Sequence, residues 1–183
     1  MKRLGVVGGI GPESTIAYYR SLIAAVREGK QGTSYPPILI NSIDVQRLLK
    51  LVDEGELAAL TKYLVAAVDV LAKGGADLGL IAASTPHIVF DQVAKRSRIP
   101  LISIVEAACA AAQERRMKRL GLFGTRSTMQ GRFYRDVFSH AGIDLVAPGE
   151  EEQTYIHEKY VGELVNGVFC PRRGAVCSGS SGC

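Results

Sequence analysis

Three short stretches gather glycine and hydroxyl side chains where an apolar run gives way to a helix-forming one. They are Gly8-Gly9-Ile10-Gly11-Pro12-Glu13-Ser14-Thr15, Ala83-Ser84-Thr85-Pro86-His87 and Gly124-Thr125-Arg126-Ser127-Thr128-Met129. In a parallel α/β sheet such positions lie at strand carboxyl ends and helix amino ends, where backbone N–H groups and hydroxyls suit a carboxylate or a phosphate. The middle stretch carries Ser84, Thr85 and His87, residue types capable of proton transfer or hydrogen bonding. The position best placed for a nucleophile or a base, however, is Ala83, which has no proton to exchange. Serine and threonine hydroxyls are poor bases at neutral pH without an activating partner.

Other chemistries fit these residues less well. A dinucleotide fingerprint starting at Gly9 needs glycine at position 14, where the chain has Ser14, and Pro12 removes an amide that could face a pyrophosphate. No Gly-Lys-Ser/Thr occurs, so a P-loop is excluded. Cys109 lies in the small-residue stretch "EAACAAAQ" and reads as a packed thiol, while Cys170, Cys177 and Cys183 form no CxxC pair. Neither a cofactor nor a metal is therefore expected. The formal charge of +4 is mild and its cations are scattered, which argues against a nucleic-acid partner. No apolar run approaches the roughly 18 residues that span a bilayer, so no membrane role is expected. "LGVVGG" is too short for a signal-peptide core, and a cytoplasmic location is the expectation.

The elements that must position these loops follow from the hydrophobic pattern. With 47% hydrophobic and 22% charged residues over 183 positions, the composition is that of a globular α/β protein. Strand-like runs "RLGVVGG", "PPILINS", "DLGLIAA", "PLISI", "KRLGLFG" and "IDLVA" alternate with helical stretches. Pro12 suits the first turn of a helix that carries Ile16, Tyr19, Leu22, Ile23 and Val26 on one face. Further helices are expected near 45–52, 55–73, 87–96, 105–116, 128–141 and 150–167. The 55–73 helix should end on Gly74-Gly75. Such alternation predicts parallel sheets with right-handed crossovers. "KRLGVVGG" is echoed in "KRLGLFGT", as though a second Rossmann-like unit begins near residue 117. The expected organisation is a first lobe over 1–116, a partial second lobe over 117–169 and an aberrant or disordered tail over 170–183.

Taken in order, the three loops resemble the aspartate/glutamate racemase family, in particular its broad-specificity amino-acid racemases. "GVVGGIGPESTIAYYR" is similar to the family's opening Gly-Gly-Met-Gly-Pro-Glu-Ala/Ser-Thr signature, with Ile10 for Met. "ASTPH" sits where the family has Cys-Asn-Thr-x-His, and "RLGLFGTRSTMQGRFY" resembles its Gly-Thr-x-x-Thr-Met motif followed by a Tyr. The resemblance implies two Rossmann-like lobes, the second incomplete here, and a cofactor-independent isomerase acting between them on the α-carbon of Asp- or Glu-type amino acids. In that family two cysteines face each other across the α-carbon: one removes the proton, the other returns one to the opposite face. By position Ala83 replaces the first cysteine, and nothing matches the second. Racemisation by this chain is therefore expected to be impaired, the alternative being a non-catalytic binder of carboxylates.

The resemblance also implies a substrate-binding set. Thr125 is carried over as a donor to the substrate carboxylate, shaped by Gly124 and Thr128. Gly9, Ile10 and Ser14 come from the first loop, and Ser84 and Thr85 from the second. Arg47, in "NSIDVQR", could pair with a second carboxylate. The ligand implied is a small amino acid or a dicarboxylate, and a homodimer is the family expectation. Each residue has a plainer reading too. Ser84, Thr85 and Thr125 could cap helices, His87 could fix its turn, and Glu13 could serve the helix dipole. The lysine that some members carry before the last helix falls on Tyr155, and His140 and His157 read as surface residues.

After Phe169 both helix pattern and resemblance stop, and "CPRRGAVCSGSSGC" takes over. Restoring one pyrimidine before Cys170 shifts the frame to one readable as an apolar helix, so a frameshifted or truncated end is expected. A natural flexible terminus is the alternative.

Overall fold

The computed structural model describes residues 2–29 and 35–168; the tail expected over 170–183 lies outside the described residues. Its first four strands are β1 (Leu4–Gly8), β2 (Ile38–Ser42), β3 (Leu78–Ile81) and β4 (Leu101–Ile102). They form one parallel sheet in the order β2-β1-β3-β4. Val6 aligns with Ile40 on one side and Leu80 on the other, which brings the carboxyl ends of β1 and β3 side by side. A second sheet pairs β5 (Arg119–Gly121) with β6 (Asp144–Val146), again in parallel. The fold is α/β with parallel sheets, as the sequence pattern predicts.

Helices cover the first sheet unequally. On one face α2 (Val45–Asp53), α3 (Leu57–Lys73) and α4 (Phe90–Arg96) bury Val7, Leu48, Leu60, Leu64, Val68, Ile81 and Val93 in the main core. Among the described residues the opposite face carries α1 (Pro12–Gly29), whose Tyr18 and Leu22 pack on Val6, Leu80 and Ala82. Of the expected stripe, Leu22, Ile23 and Val26 are half-buried, whereas Ile16 and Tyr19 are exposed. Thr15 and Tyr18 take the place of those two, and spacings of three and four put residues 15, 18, 22 and 26 on a single side.

The end of α3 follows from its glycines. Gly75 takes a φ of +83°, its N–H bonds Ala72 O, and Ala76 N–H reaches back to Leu71 O. That is a Schellman closure, and it delivers the chain into β3.

The expected single helix over 128–141 is two helices, α6 (Arg126–Gln130) and α7 (Arg132–His140), broken at Gly131. Gly131 is extended (φ −65°, ψ 151°), and its N–H closes on Ser127 O. A Cβ at Gly131 would stand 2.4 Å from that same oxygen, so the bend needs glycine for space. The expected helix over 87–96 likewise starts as a 3-10 turn, Thr85–Val89, before α4. The last helix, α8 (Glu150–Gly162), is followed by a 3-10 turn over Leu164–Asn166.

Helix α5 (Ile104–Glu114) joins the two sheets. It begins directly after β4, with Ser103 Oγ accepting from Glu106 N–H as its cap. Its apolar side, however, packs with the later elements: Val105, Cys109 and Ala112 meet Phe138 and Ile143, with Leu120 and Leu145 around them. Leu120 and Leu145 point into that core, and so their strand neighbours Gly121 and Val146 face the other way. There they line an open groove of about 800 Å³ with Phe123, Pro148 and Tyr155. Phe123 is 65% exposed, so this side of the second sheet has little cover among the described residues.

The first loop depends on one tight approach. Gly9 has a φ of +81°, and a Cβ there would meet Ile43 O at 2.5 Å. Replacing Gly9 by alanine should lower stability by about 2–4 kcal/mol, by clash and left-handed strain together. The midpoint of urea unfolding checks this; a shift of less than about 1 kcal/mol would mean that the loop relaxes freely.

Candidate functional site

The second and third loops picked out by composition meet side chain to side chain, and the pairing of β1 with β3 starts the first loop beside the second. β1 leads into the first loop, β3 into the 83–87 turn, and β5 into Gly124-Thr125. Between them lies a set of hydroxyls. Thr85 Oγ1 and Thr125 Oγ1 are 2.9 Å apart, and Thr125 Oγ1 is 3.2 Å from Thr128 Oγ1. Ser84 Oγ lies 3.1 Å from the phenol oxygen of Tyr134 on α7. Both Thr85 and Ser84 thus bond to residues that follow the second-sheet restart, rather than to the backbone of their own helix. Neither makes a side-chain capping bond. Thr125 does both things: it caps α6 by accepting from Thr128 N–H, and it reaches Thr85.

His87 holds the turn in place. Its ring is 4% exposed and stacks on Phe90, with centroids 4.8 Å apart and planes 2° from parallel. Ile104 N–H, at 3.3 Å, can only donate, so Nε2 must accept. Nδ1 then carries the hydrogen and donates to Ala83 O at 3.0 Å. Burial, which outweighs the backbone acceptors, lowers the imidazole pKa to about 4. A neutral ring with both nitrogens engaged is a structural tie between the turn and the start of α5. His87 fixes the turn.

The first loop is locked by Thr15. Its Oγ1 accepts from Gly9 N–H at 2.9 Å and donates to Gly11 O at 3.3 Å. Ser14, half-buried, is the loop's remaining hydroxyl. Ile10, expected to face the cleft, is only 5% exposed and sits in the main core with Leu48 and Leu60. An isoleucine after two glycines is free to turn inward, and burial rewards it by about 2 kcal/mol. Arg47 is exposed at the surface with its guanidinium 4.5 Å from the centre of the Tyr63 ring. That stacking anchors it on the α2–α3 side.

Ala83, half-buried, ends the strand where a thiol or a base could stand. Cys109 is the free thiol of the described residues, buried between α5 and α7 with Sγ 3.9 Å from Val137 O. No group of three or more His, Cys, Asp or Glu that could hold a metal occurs among the described residues. No helix there is long and apolar enough to cross a membrane. The groove of about 800 Å³, lined by Phe123 and Tyr155, holds none of the loop hydroxyls. Chemistry points to the hydroxyl cluster and volume to the groove; the cluster has the donors, and the groove is mainly an uncovered sheet face.

Several contributors have no signature in the sequence. Thr15 lies inside the glycine motif but shows no sign of its locking role. Tyr134 stands out only as a tyrosine after the third motif. His157 accepts from Arg126 N–H at 3.2 Å, so α8 steadies the loop after Thr125 from behind. Only the fold brings these together.

Parallel α/β units whose strands β3 and β5 bring hydroxyls together at their carboxyl ends are the arrangement of a small-molecule α/β enzyme or of a binder derived from one. The family profile for Asp/Glu/hydantoin racemases matches residues 7–168, and the chain belongs to that family. Among solved structures, it is similar to a candidate Asp/Glu racemase from Yersinia pestis: 28% identity, 93% of this chain and 75% of that one, TM-score 0.81. An aspartate racemase homologue from Pyrococcus horikoshii shares 33% identity over 92% of this chain and 74% of its own, with a TM-score of 0.75. The broad-specificity amino-acid racemase RacX of Bacillus subtilis is 22% identical over 147 residues. That match takes in 78% of this chain but only 63% of RacX, so the chain spans less than two thirds of that relative.

The tie through His87 has a pH signature. Its folded pKa of about 4 lies below the ordinary value of 6.5, so below pH 6.5 the unfolded chain takes up a proton that the folded one refuses. Stability contributed by the neutral ring is full above that value and is lost as pH falls towards 4. The loss is on the order of 3 kcal/mol. A His87→Phe variant, which keeps a ring on Phe90, should lack that acid-dependent component. It should also be less stable at neutral pH by about 2–4 kcal/mol, since Ala83 O and Ile104 N–H lose their partner. Parallel unfolding curves for the two proteins across this range would contradict the assignment.

Proposed function

We propose that this chain is an amino-acid racemase family member whose cleft keeps the carboxylate-binding hydroxyls and has lost the thiol chemistry. Residues 1–116 and 117–169 are taken as the two lobes, and the cleft lies where they meet. The observation that carries the reading is Ala83: a methyl group stands at the end of β3, in a turn whose hydroxyls are otherwise in place. Stereoinversion needs a base on one face of the α-carbon and an acid on the other. It also needs donors for the charge that develops when the α-proton leaves. Ser84, Thr85 and Thr125 supply donors of that kind, whereas Ala83 supplies no base.

The ligand in this reading is a small amino acid of the Asp or Glu type, or a dicarboxylate. Its α-carboxylate lies against Thr125, Ser84 and Thr85, within reach of the loop from Gly9 to Ser14. Burial of Ile10 leaves the main chain and Ser14 as that loop's polar contribution, and Arg47 would have to leave the Tyr63 ring to reach a second carboxylate. No cofactor enters the mechanism, a cytoplasmic location is consistent with it, and a homodimer would be in keeping with the family. The same hydroxyl set without a thiol favours the second reading, a binder that no longer catalyses.

Incubation with L-aspartate or L-glutamate in deuterated water should give no α-deuteration above a blank, read by mass spectrometry. Clear exchange with either amino acid would overturn the assignment of Ala83 as the missing base. An Ala83→Cys substitution should not by itself restore racemisation, because a single thiol leaves the opposite face unserved. Appearance of the D-isomer in that variant, followed by chiral chromatography, would reveal a second base among the other residues.

A further inference from the structure

The hydroxyl that closes on Ser84 belongs to a group of three phenols. Tyr134 comes from α7, Tyr18 from α1 and Tyr160 from α8, and all three are half-buried. Tyr18 packs over Ala82, immediately before the turn. Tyr18 and Tyr160 both hold their protons more tightly than an ordinary tyrosine. Burial is the main cause in each, and the charge that Tyr134 would carry on ionising adds to it. Tyr134 is thus the shared neighbour of the other two, and its ring is fixed between Phe133 and Phe138, with centroids at 5.3 and 6.0 Å.

The contact between Ser84 and Tyr134, 3.1 Å, has a direction set by acidity. A phenol ionises near ~10, far below an aliphatic hydroxyl, so the phenol is the better donor and the serine oxygen the better acceptor. Ser84 Oγ then receives the Tyr134 hydrogen and keeps its own free to point elsewhere. Neighbouring hydrogen bonds polarise one another in such a chain, which strengthens the last donor. The turn tied by His87 fixes the serine backbone, so the remaining freedom of Ser84 is its side-chain rotor alone. The Thr85–Thr125 contact places two more hydroxyls beside it.

We propose that Tyr134 is a positioning residue: by donating to Ser84 Oγ, it fixes the Ser84 hydroxyl as a donor directed into the cleft at a ligand carboxylate. The inference rests on the carboxylate reading above and adds which hydroxyl binds and what orients it. It also gives a reason for a serine beside Ala83, since a side chain without a hydroxyl there would leave Tyr134 nothing to orient.

Isothermal titration of the full chain with L-aspartate tests this on wild type, Ser84→Ala, Ser84→Thr, Tyr134→Phe and the Ser84→Ala/Tyr134→Phe double variant. Each loss of a hydroxyl should weaken binding by about three- to tenfold, the worth of one hydrogen bond. The double variant should bind no more weakly than the weaker single one, because both remove the same donor. Ser84→Thr should retain affinity, and Tyr134→Phe should keep a near-wild-type melting temperature with its ring in place. Saturating L-aspartate should shift the alkaline tyrosinate titration of wild type upward, as a negative charge arrives beside the phenols, and should not do so in Ser84→Ala. Additive losses, or wild-type affinity in Ser84→Ala, would overturn the role of Tyr134 while the carboxylate reading stands. No binding by wild type itself would bring down both.

Discussion

A neutral imidazole holds this site together. His87 receives a hydrogen bond from the first N–H of α5 and gives one to the carbonyl of Ala83, so a single ring sets the turn against the next helix. The ring must be neutral for this, because a protonated Nε2 would confront the Ile104 N–H with a second donor. Stacking on Phe90 fixes the ring plane, and burial keeps the proton off. With the Ala83 carbonyl turned inward to meet His87, the side chains of Ser84 and Thr85 are left to reach Tyr134 and Thr125. The contacts joining the two halves of the molecule thus depend on a buried histidine.

Much of the architecture was legible in the sequence because its signals are local. Among the described residues the six apolar runs became six strands, and glycines or prolines marked many of the places where elements end. The loops of interest were visible for the same reason: hydroxyls and glycines clustered at strand ends need only the strand to be placed. Features that hinge on contact were hidden. Periodicity over 128–141 is helical throughout, and only the crowding of Gly131 against Ser127 O and the Phe133 ring accounts for the break. Ile10 carries no mark that it turns into the core, and Arg47 none that it settles on Tyr63. Ser84 and Tyr134 are far apart in the chain; their contact is a property of the packed elements.

Scaffold and chemistry separate cleanly at the 83–87 turn. The bonds of His87 to the backbone, of Thr85 to Thr125 and of Ser84 to Tyr134 involve main chain or hydroxyls, and none requires a thiol at position 83. A methyl group there leaves the geometry intact. Racemase family membership therefore says a good deal about the frame of the 83–87 turn and less about the turnover it can support. The relatives share the frame; the side chain at the end of β3 is a local matter.

Helix α5 has its root in one sheet and its packing in the other. Its cap, Ser103, directly follows the last strand of the first sheet, while Val105, Cys109 and Ala112 spend their apolar surface on Phe138 and Ile143. The two halves are accordingly not independent cooperative units. Loosening the second sheet strips α5 of its core, and a frayed α5 withdraws the Ile104 N–H from His87, so the disturbance reaches the turn at the end of β3 without passing through the cleft. Local melting at one end of the molecule is thereby converted into disorder at the other, and the short segment from Ser103 to Val105 is the mechanical fuse between them.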